Sequence, residues 1–253
     1  SRISPIATGQ AFDMTTDGLR WRDYFLREGE QFDAFWKPFL GEWKRNVLFV
    51  VGHGFDSRMC NGIERILGLG GEGSRDVDLI TFDEGAESPS TAYFDQRKAN
   101  GERLKKLLEG RGSIRDRYIR MFSDDNRRIG ARSIVQAFSS PDEFHAYSDV
   151  VVDISALPRS LYMPLLAKLL ALFDLEPKDC NSCNLHVILS HSLAADDSIV
   201  EEGLEESASY LHGFAAATLE SESTSSQPKI WIPVLGKRQQ AQLERINQFV
   251  IPN

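Results

Sequence analysis

Cysteine is scarce in this chain, with three residues in 253: Cys60, Cys180 and Cys183. A sparse, odd-numbered set excludes a disulfide framework and fits a reducing, cytoplasmic setting. The lone pair Cys180-x-x-Cys183 has no second pair to complete a structural zinc site, so it reads as two loop thiols ahead of a strand. Long apolar runs are also lacking. The stretches at 47–51 and 161–172 are shorter or more interrupted than the ~20 residues a bilayer span requires, and no membrane crossing is expected. Positive charge is in deficit, 29 Lys+Arg against 37 Asp+Glu for a net charge of −8, which disfavours general nucleic-acid binding. A charged or apolar leader is not evident at Ser1-Arg2, and the expectation is a processed or excised chain with a neighbouring domain missing.

What is present is ordinary globular material: 42% hydrophobic residues, enough for a sizeable core. The first forty residues hold Trp21, Tyr24, Phe25, Phe32, Phe35, Trp36, Phe39 and Leu40 at spacings of three, four and seven. That periodicity predicts one or two amphipathic helices whose aromatic stripe is packing material. At 47–51 the pattern changes to the continuous apolar run Val-Leu-Phe-Val-Val, bounded by Gly52. Similar runs stand at 77–82, 150–154, 185–189 and 230–235, with a weaker one at 118–122. Short unbroken apolar runs suit parallel strands buried on both faces.

Helix-like segments lie between them, at 57–67, 95–109, 129–138, 158–173, 199–219 and 239–250. Pro164 is expected to kink its helix or to mark the true start. Strands alternating with helices predict a Rossmann-like, three-layer α/β domain with a mostly parallel sheet over residues 46–253, preceded by a helical extension over residues 1–45. The polar stretch 221–227 reads as a surface loop.

In such a sheet, ligands bind beyond the carboxyl ends of the strands. After the first strand comes Gly52-His53-Gly54-Phe55-Asp56-Ser57-Arg58. Gly52 and Gly54 permit a tight turn and close backbone approach, and the following helix start offers amides to an anion. Ser57 stands where a dinucleotide fingerprint has its third glycine, so NAD redox chemistry is disfavoured. Asp56 or Ser57 serves equally well as a helix cap. Asp83, at the end of the second strand, is placed to accept ribose hydroxyls.

A later strand delivers Asp153 and Ser155 to its end and runs through Pro158 into a helix. Arg159 then sits near the helix start, where it opposes the helix dipole. It needs a partner: Asp153, Asp56 or an anionic ligand. The following strand leads to Ser190-His191-Ser192. His53, Asp56, Asp153 and His191 together make a candidate catalytic cluster, with His191 as proton carrier. Gly-x-Ser-x-Gly is absent, which excludes an α/β-hydrolase elbow. The spacing of these four matches no metal pattern. His145, His186 and His212 read as structural.

The strand ending Asp153-Ile154-Ser155, paired with the glycine turn after the first strand, resembles the layout of CRISPR-associated Rossmann-type sensor domains. That resemblance implies a cyclic-oligonucleotide ligand bound at a homodimer interface. Where that family has a Thr-Gly-Gly-Thr-Lys character, this chain has Ala156-Leu157-Pro158-Arg159.

Seven arginines at 111, 115, 117, 120, 127, 128 and 132 face only Asp116, Asp124 and Asp125, an excess of about four positive charges that leaves about −12 on the remainder. This segment reads as phosphate- or partner-binding, or as exposed helix ion pairs.

Three readings follow. In the first, a nucleotide or other phosphorylated small molecule binds Gly52, Gly54, Ser57, Asp83, Ser155 and Arg159, in a homodimeric sensor. In the second, His53, Asp56, Asp153 and His191 process a nucleotide by hydrolysis or transfer. In the third, the chain is an interaction domain of a larger protein, with Trp36 and Arg128 on partner faces. The sequence identifies no cofactor.

Overall fold

A computed structural model describes residues 25–83, 85, 88–125, 127–174, 183–192 and 240–250. The chain divides into two compact units, Ser1–His191 and Ser192–Asn253. In the second, helix α6 (Gln240–Val250) is described; the expected strand at 230–235 and helix at 199–219 lie outside the described residues.

The first unit is a Rossmann-like three-layer α/β fold. Its strands are β1 (Val47–Gly52), β2 (Arg75–Asp83), β3 (Ile114–Arg120), β4 (Asp149–Asp153) and β5 (Asn184–Ile188). They form one sheet in the order β3-β2-β1-β4-β5, every pair parallel. All six residues of β1 are buried, as the unbroken apolar run requires for a central strand. Alternate side chains feed two cores. Val47, Phe49 and Val51 pack with Trp36 and Leu40 of α1 (Glu30–Gly41), Ile63 and Ile66 of α2 (Asn61–Gly68), and Leu104 and Leu108 of α3 (Phe94–Leu108). Leu48 and Val50 pack on the other face with Ile134 of α4 (Gly130–Ala137) and Leu161, Leu165 and Leu169 of α5 (Arg159–Asp174).

Several expectations are corrected. The strand expected at 118–122 lies earlier, because Asp78 of β2 draws Arg115 and Arg117 into the ladder. Arg115 stands opposite Asp78 in register and forks onto it at 2.6 and 2.8 Å, and Arg117 Nε donates to the same carboxylate at 2.8 Å. A strand patterned Ile-Arg-Asp-Arg-Tyr carries no apolar run to find. Helix 57–67 divides into a 3₁₀ turn, Ser57–Cys60, and α2. Helix α5 starts at Arg159 with Pro164 inside it, so Pro164 does not mark the start of the helix. Trp36 is 3% exposed, which removes it from any partner face.

At the amino end of the sheet, α1 is fastened by a polar cluster. Arg45 donates to Asp149 at 3.2 Å and lies over the rings of Phe39 and Trp43, while His186 bonds Asp149 at 3.0 Å and packs on Trp36. Burial opposes ionisation of Asp149, yet hydrogen bonds from His186, Ser148 and Asn184 outweigh it and hold the pKa at about 2. Cys183 is buried in the α4/α5-side core; Cys180 and His212 lie outside the described residues. No helix among the described residues is long and apolar enough to cross a membrane.

Candidate functional site

Successive strands run outward from β1 to β2 and β3, then return across it to β4 and β5. The direction of winding therefore reverses between β1 and β4, and the loops leaving those two strands diverge at a topological switch point. The first loop carries Gly52 to Asp56, the second Ile154 to Pro158.

The two loops are in contact. A Cβ on Gly52 would stand 2.5 Å from the Ala156 carbonyl oxygen, and one on Gly54 would stand 2.9 Å from the same atom. The close approach that the glycines permit is thus taken up by protein backbone. Buried Asn100 of α3 fixes the first loop from beneath, its amide nitrogen donating to the carbonyls of Gly54 (3.0 Å) and Asp56 (2.8 Å). With those carbonyls turned to Asn100, the backbone amides of Phe55 and Asp56 donate to no partner among the described residues. Asn100 was not legible as a loop anchor, because a polar residue in a predominantly polar helix carries no periodic signal.

Asp56 acts as a cap. Its Oδ1 accepts the Arg58 amide at 2.8 Å, and its carboxylate grips the Arg58 guanidinium, with Nη2 to Oδ2 at 2.6 Å. Arg58 is 8% exposed and also donates to the Ser190 carbonyl at 3.5 Å. Ser57 is exposed at the opening of the 3₁₀ turn, and its carbonyl accepts from Arg103.

Asp153 is 1% exposed. Its Oδ1 accepts the Ser155 amide at 2.9 Å, while Oδ2 has no partner and lies where a Cβ on Gly62 would come within 2.6 Å. Burial, with a smaller contribution from the Asp56 charge, raises its pKa to about 6 against the opposing Ser155 bonds. Neighbouring Cys60 is pushed up to about 11, chiefly by burial, so it stays a thiol. The Ser155 hydroxyl accepts the Ser190 amide at 2.8 Å and ties the β4 loop to the end of β5.

His53 faces α3. Its Nε2 lies 3.1 Å from the Arg97 carbonyl, which can only accept, so Nε2 carries the proton. Nδ1 then faces the Thr81 hydroxyl at 3.4 Å, and that hydroxyl donates to Asp116 at 3.0 Å. Burial and the Arg97 charge lower the His53 pKa, keeping the ring neutral at neutral pH. Asp83 is exposed, and its Oδ1 accepts the Gly85 amide at 2.9 Å in a turn. His191 is exposed beyond β5. Asp56 and Asp153 are thus neighbours, whereas His53 is turned away under α3. Among the described residues these side chains form no cluster suited to a metal ion.

Arg159 is different. It is exposed on the first turn of α5, and it makes no ion pair with any described carboxylate. The expected alternative, an internal pair with Asp153, is not formed, since Asp153 Oδ2 is unpartnered. Most of the arginine segment is spent locally: Arg115 and Arg117 on Asp78, Arg117 also on Glu143, Arg120 on Asp124 and Arg127 on Asp125. These pairs lie on and after a strand, not on the expected helix face.

Comparison with models of protein families, with curated proteins and with solved structures gives no match. The fold defines the class, a Rossmann-like α/β protein, and the site is read from its own chemistry.

Proposed function

We propose that this protein binds a phosphorylated small molecule at the switch point between β1 and β4. The observation that carries the reading is Arg159, an exposed cation without a described partner on the first turn of α5. Such a charge opposes the helix dipole, a cost of about 0.3–1 kcal/mol that an anionic ligand reverses into a gain. The first hydrogen bonds into the helix run from the amides of Leu161 and Tyr162 to the Pro158 carbonyl, which leaves the earlier amides of Arg159 and Ser160 available. The unengaged amides of Phe55 and Asp56 stand on the loop that Ala156 touches. Guanidinium and amides together suit phosphate oxygens.

Gly52 and Gly54 shape this site by admitting the β4 loop, and Ser155 braces it. Ser57, exposed on the loop after β1, and Asp83, exposed at the end of β2, are the further polar groups the reading assigns to the ligand. Binding is better supported than turnover by His53, Asp56, Asp153 and His191, because Asp153 is enclosed, Asp56 is committed to Arg58, and His53 is held by Arg97. A homodimer that shares the ligand, in a cytoplasmic setting, completes the proposal.

Thermal shift with pyrophosphate and nucleoside diphosphates tests it, with native mass spectrometry for the assembly. A ligand at 100 times its Kd should stabilise the protein by about 2.7 kcal/mol. Arg159→Ala should retain the unliganded Tm and lose that response. Equal responses in both proteins would sink the reading.

A further inference from the structure

We infer that the ligand of this site is a nucleotide whose base stacks on Phe55 and Tyr93, an inference that rests on the phosphate-binding reading above. Phe55 lies on the switch-point loop, and its own amide is one of the unengaged donors. Its ring stacks on that of Tyr93, with centroids 4.5 Å apart and planes 19° from parallel. Tyr93 ends the 3₁₀ turn Pro89–Tyr93 that leads from β2 into α3, so the pair bridges the ends of β1 and β2. That is the side of the switch point where a nucleoside extends when its phosphates lie at the β1 loop.

Three features separate this pair from packing material. Neither ring belongs to either apolar core, although both are large and apolar enough to be drawn in. Both are half-buried, and the adjoining Phe94 is 67% exposed, so aromatic surface gathers at the carboxyl edge of the sheet. Phe55 is also held rigid. Asn100 grips the carbonyl on each side of it, at Gly54 and at Asp56, and Tyr93 covers one face. A ring fixed before the ligand arrives loses little entropy on binding, which is the condition for an effective stacking platform. A sugar phosphate or inorganic anion has no use for such a surface, whereas every nucleobase has a π-face to offer it.

Titration calorimetry with pyrophosphate, ribose 5-phosphate, ADP, GDP, CDP and UDP tests the inference on the full chain. At least one nucleoside diphosphate should bind about tenfold or more tightly than pyrophosphate, the scale expected for one base on an aromatic ring. Phe55→Leu should erase that preference, so that no nucleoside diphosphate binds the variant more tightly than pyrophosphate does. Phe55→Trp should retain it. Pyrophosphate binding with no gain for any nucleoside diphosphate, or a gain that survives in Phe55→Leu, would overturn the platform and leave the phosphate site standing. Failure of all six probes to bind wild-type protein would overturn both.

Discussion

The Ala156 carbonyl oxygen lies 2.5 Å from the position a Cβ on Gly52 would take, with Leu157 Cγ and Cδ2 at 2.8 Å. Two of those atoms belong to a side chain that is 6% exposed, and the third is backbone, so none can yield cheaply. Gly52→Ala should therefore cost about 1–3 kcal/mol in urea unfolding, as overpacking does. Gly68→Ala, at a helical glycine with nothing within 4 Å, should be neutral or stabilising. A wild-type midpoint in Gly52→Ala would refute the interlocked loops.

Asp153 should make stability fall with rising pH in a defined window. Burial raises its pKa from the ordinary 3.8 to about 6 in the folded chain, so between those values the native state binds more protons than the unfolded one. Stability therefore declines as pH rises from about 4 to 6 and stays reduced above, by about 3 kcal/mol. Asp153→Asn removes this dependence. The variant should gain in Tm relative to wild type from pH 4.5 to pH 7.5; a constant difference across that range would contradict the buried, unpartnered carboxyl.

Asp78 is 1% exposed and receives both Arg115 and Arg117. Asp78→Ala removes the hydrogen bonds that Arg115 and Arg117 make to it, leaving largely enclosed Arg117 with Glu143 alone as carboxylate partner, and should cost about 2–3 kcal/mol. Arg115→Ala should cost much less, because that side chain is 51% exposed. Equal losses in chemical denaturation would show that the ion pair is not what locks β3 onto β2.

Asn100→Asp replaces two donated hydrogen bonds with a buried charge that repels the Gly54 and Asp56 carbonyls. A loss of at least about 2 kcal/mol is expected. Hydrogen exchange should quicken at the hydrogen-bonded loop amides of Gly54, Arg58 and Met59 more than in β1, marking local release of the loop. Uniform acceleration would assign Asn100 a general role in packing.

How much of this was legible depended on whether one segment carried its own signal. Strands β1 and β4 announce themselves because central parallel strands are buried on both faces and must be apolar throughout. Strand β3 did not, because its charged residues are satisfied by Asp78 and Glu143 on other elements. Asp56 was legible as a cap, since capping is local. The stack of Phe55 on Tyr93 and the bond from Asn100 to the Gly54 carbonyl join positions roughly forty residues apart, and no periodicity encodes them.

Hydrophobic patterning and glycine and proline placement determined by themselves that this chain builds a Rossmann-like layered α/β sheet. Burial and period are properties of neighbouring residues, so a linear pattern suffices. Only the tertiary structure decided which charges remain available at the carboxyl edge of the sheet. It turned His53 under α3, closed Asp153 away from water, committed Asp56 to Arg58 and left Arg159 exposed. Those outcomes depend on strand order and loop contact across the sheet, where each residue meets partners the chain brings from far along its length.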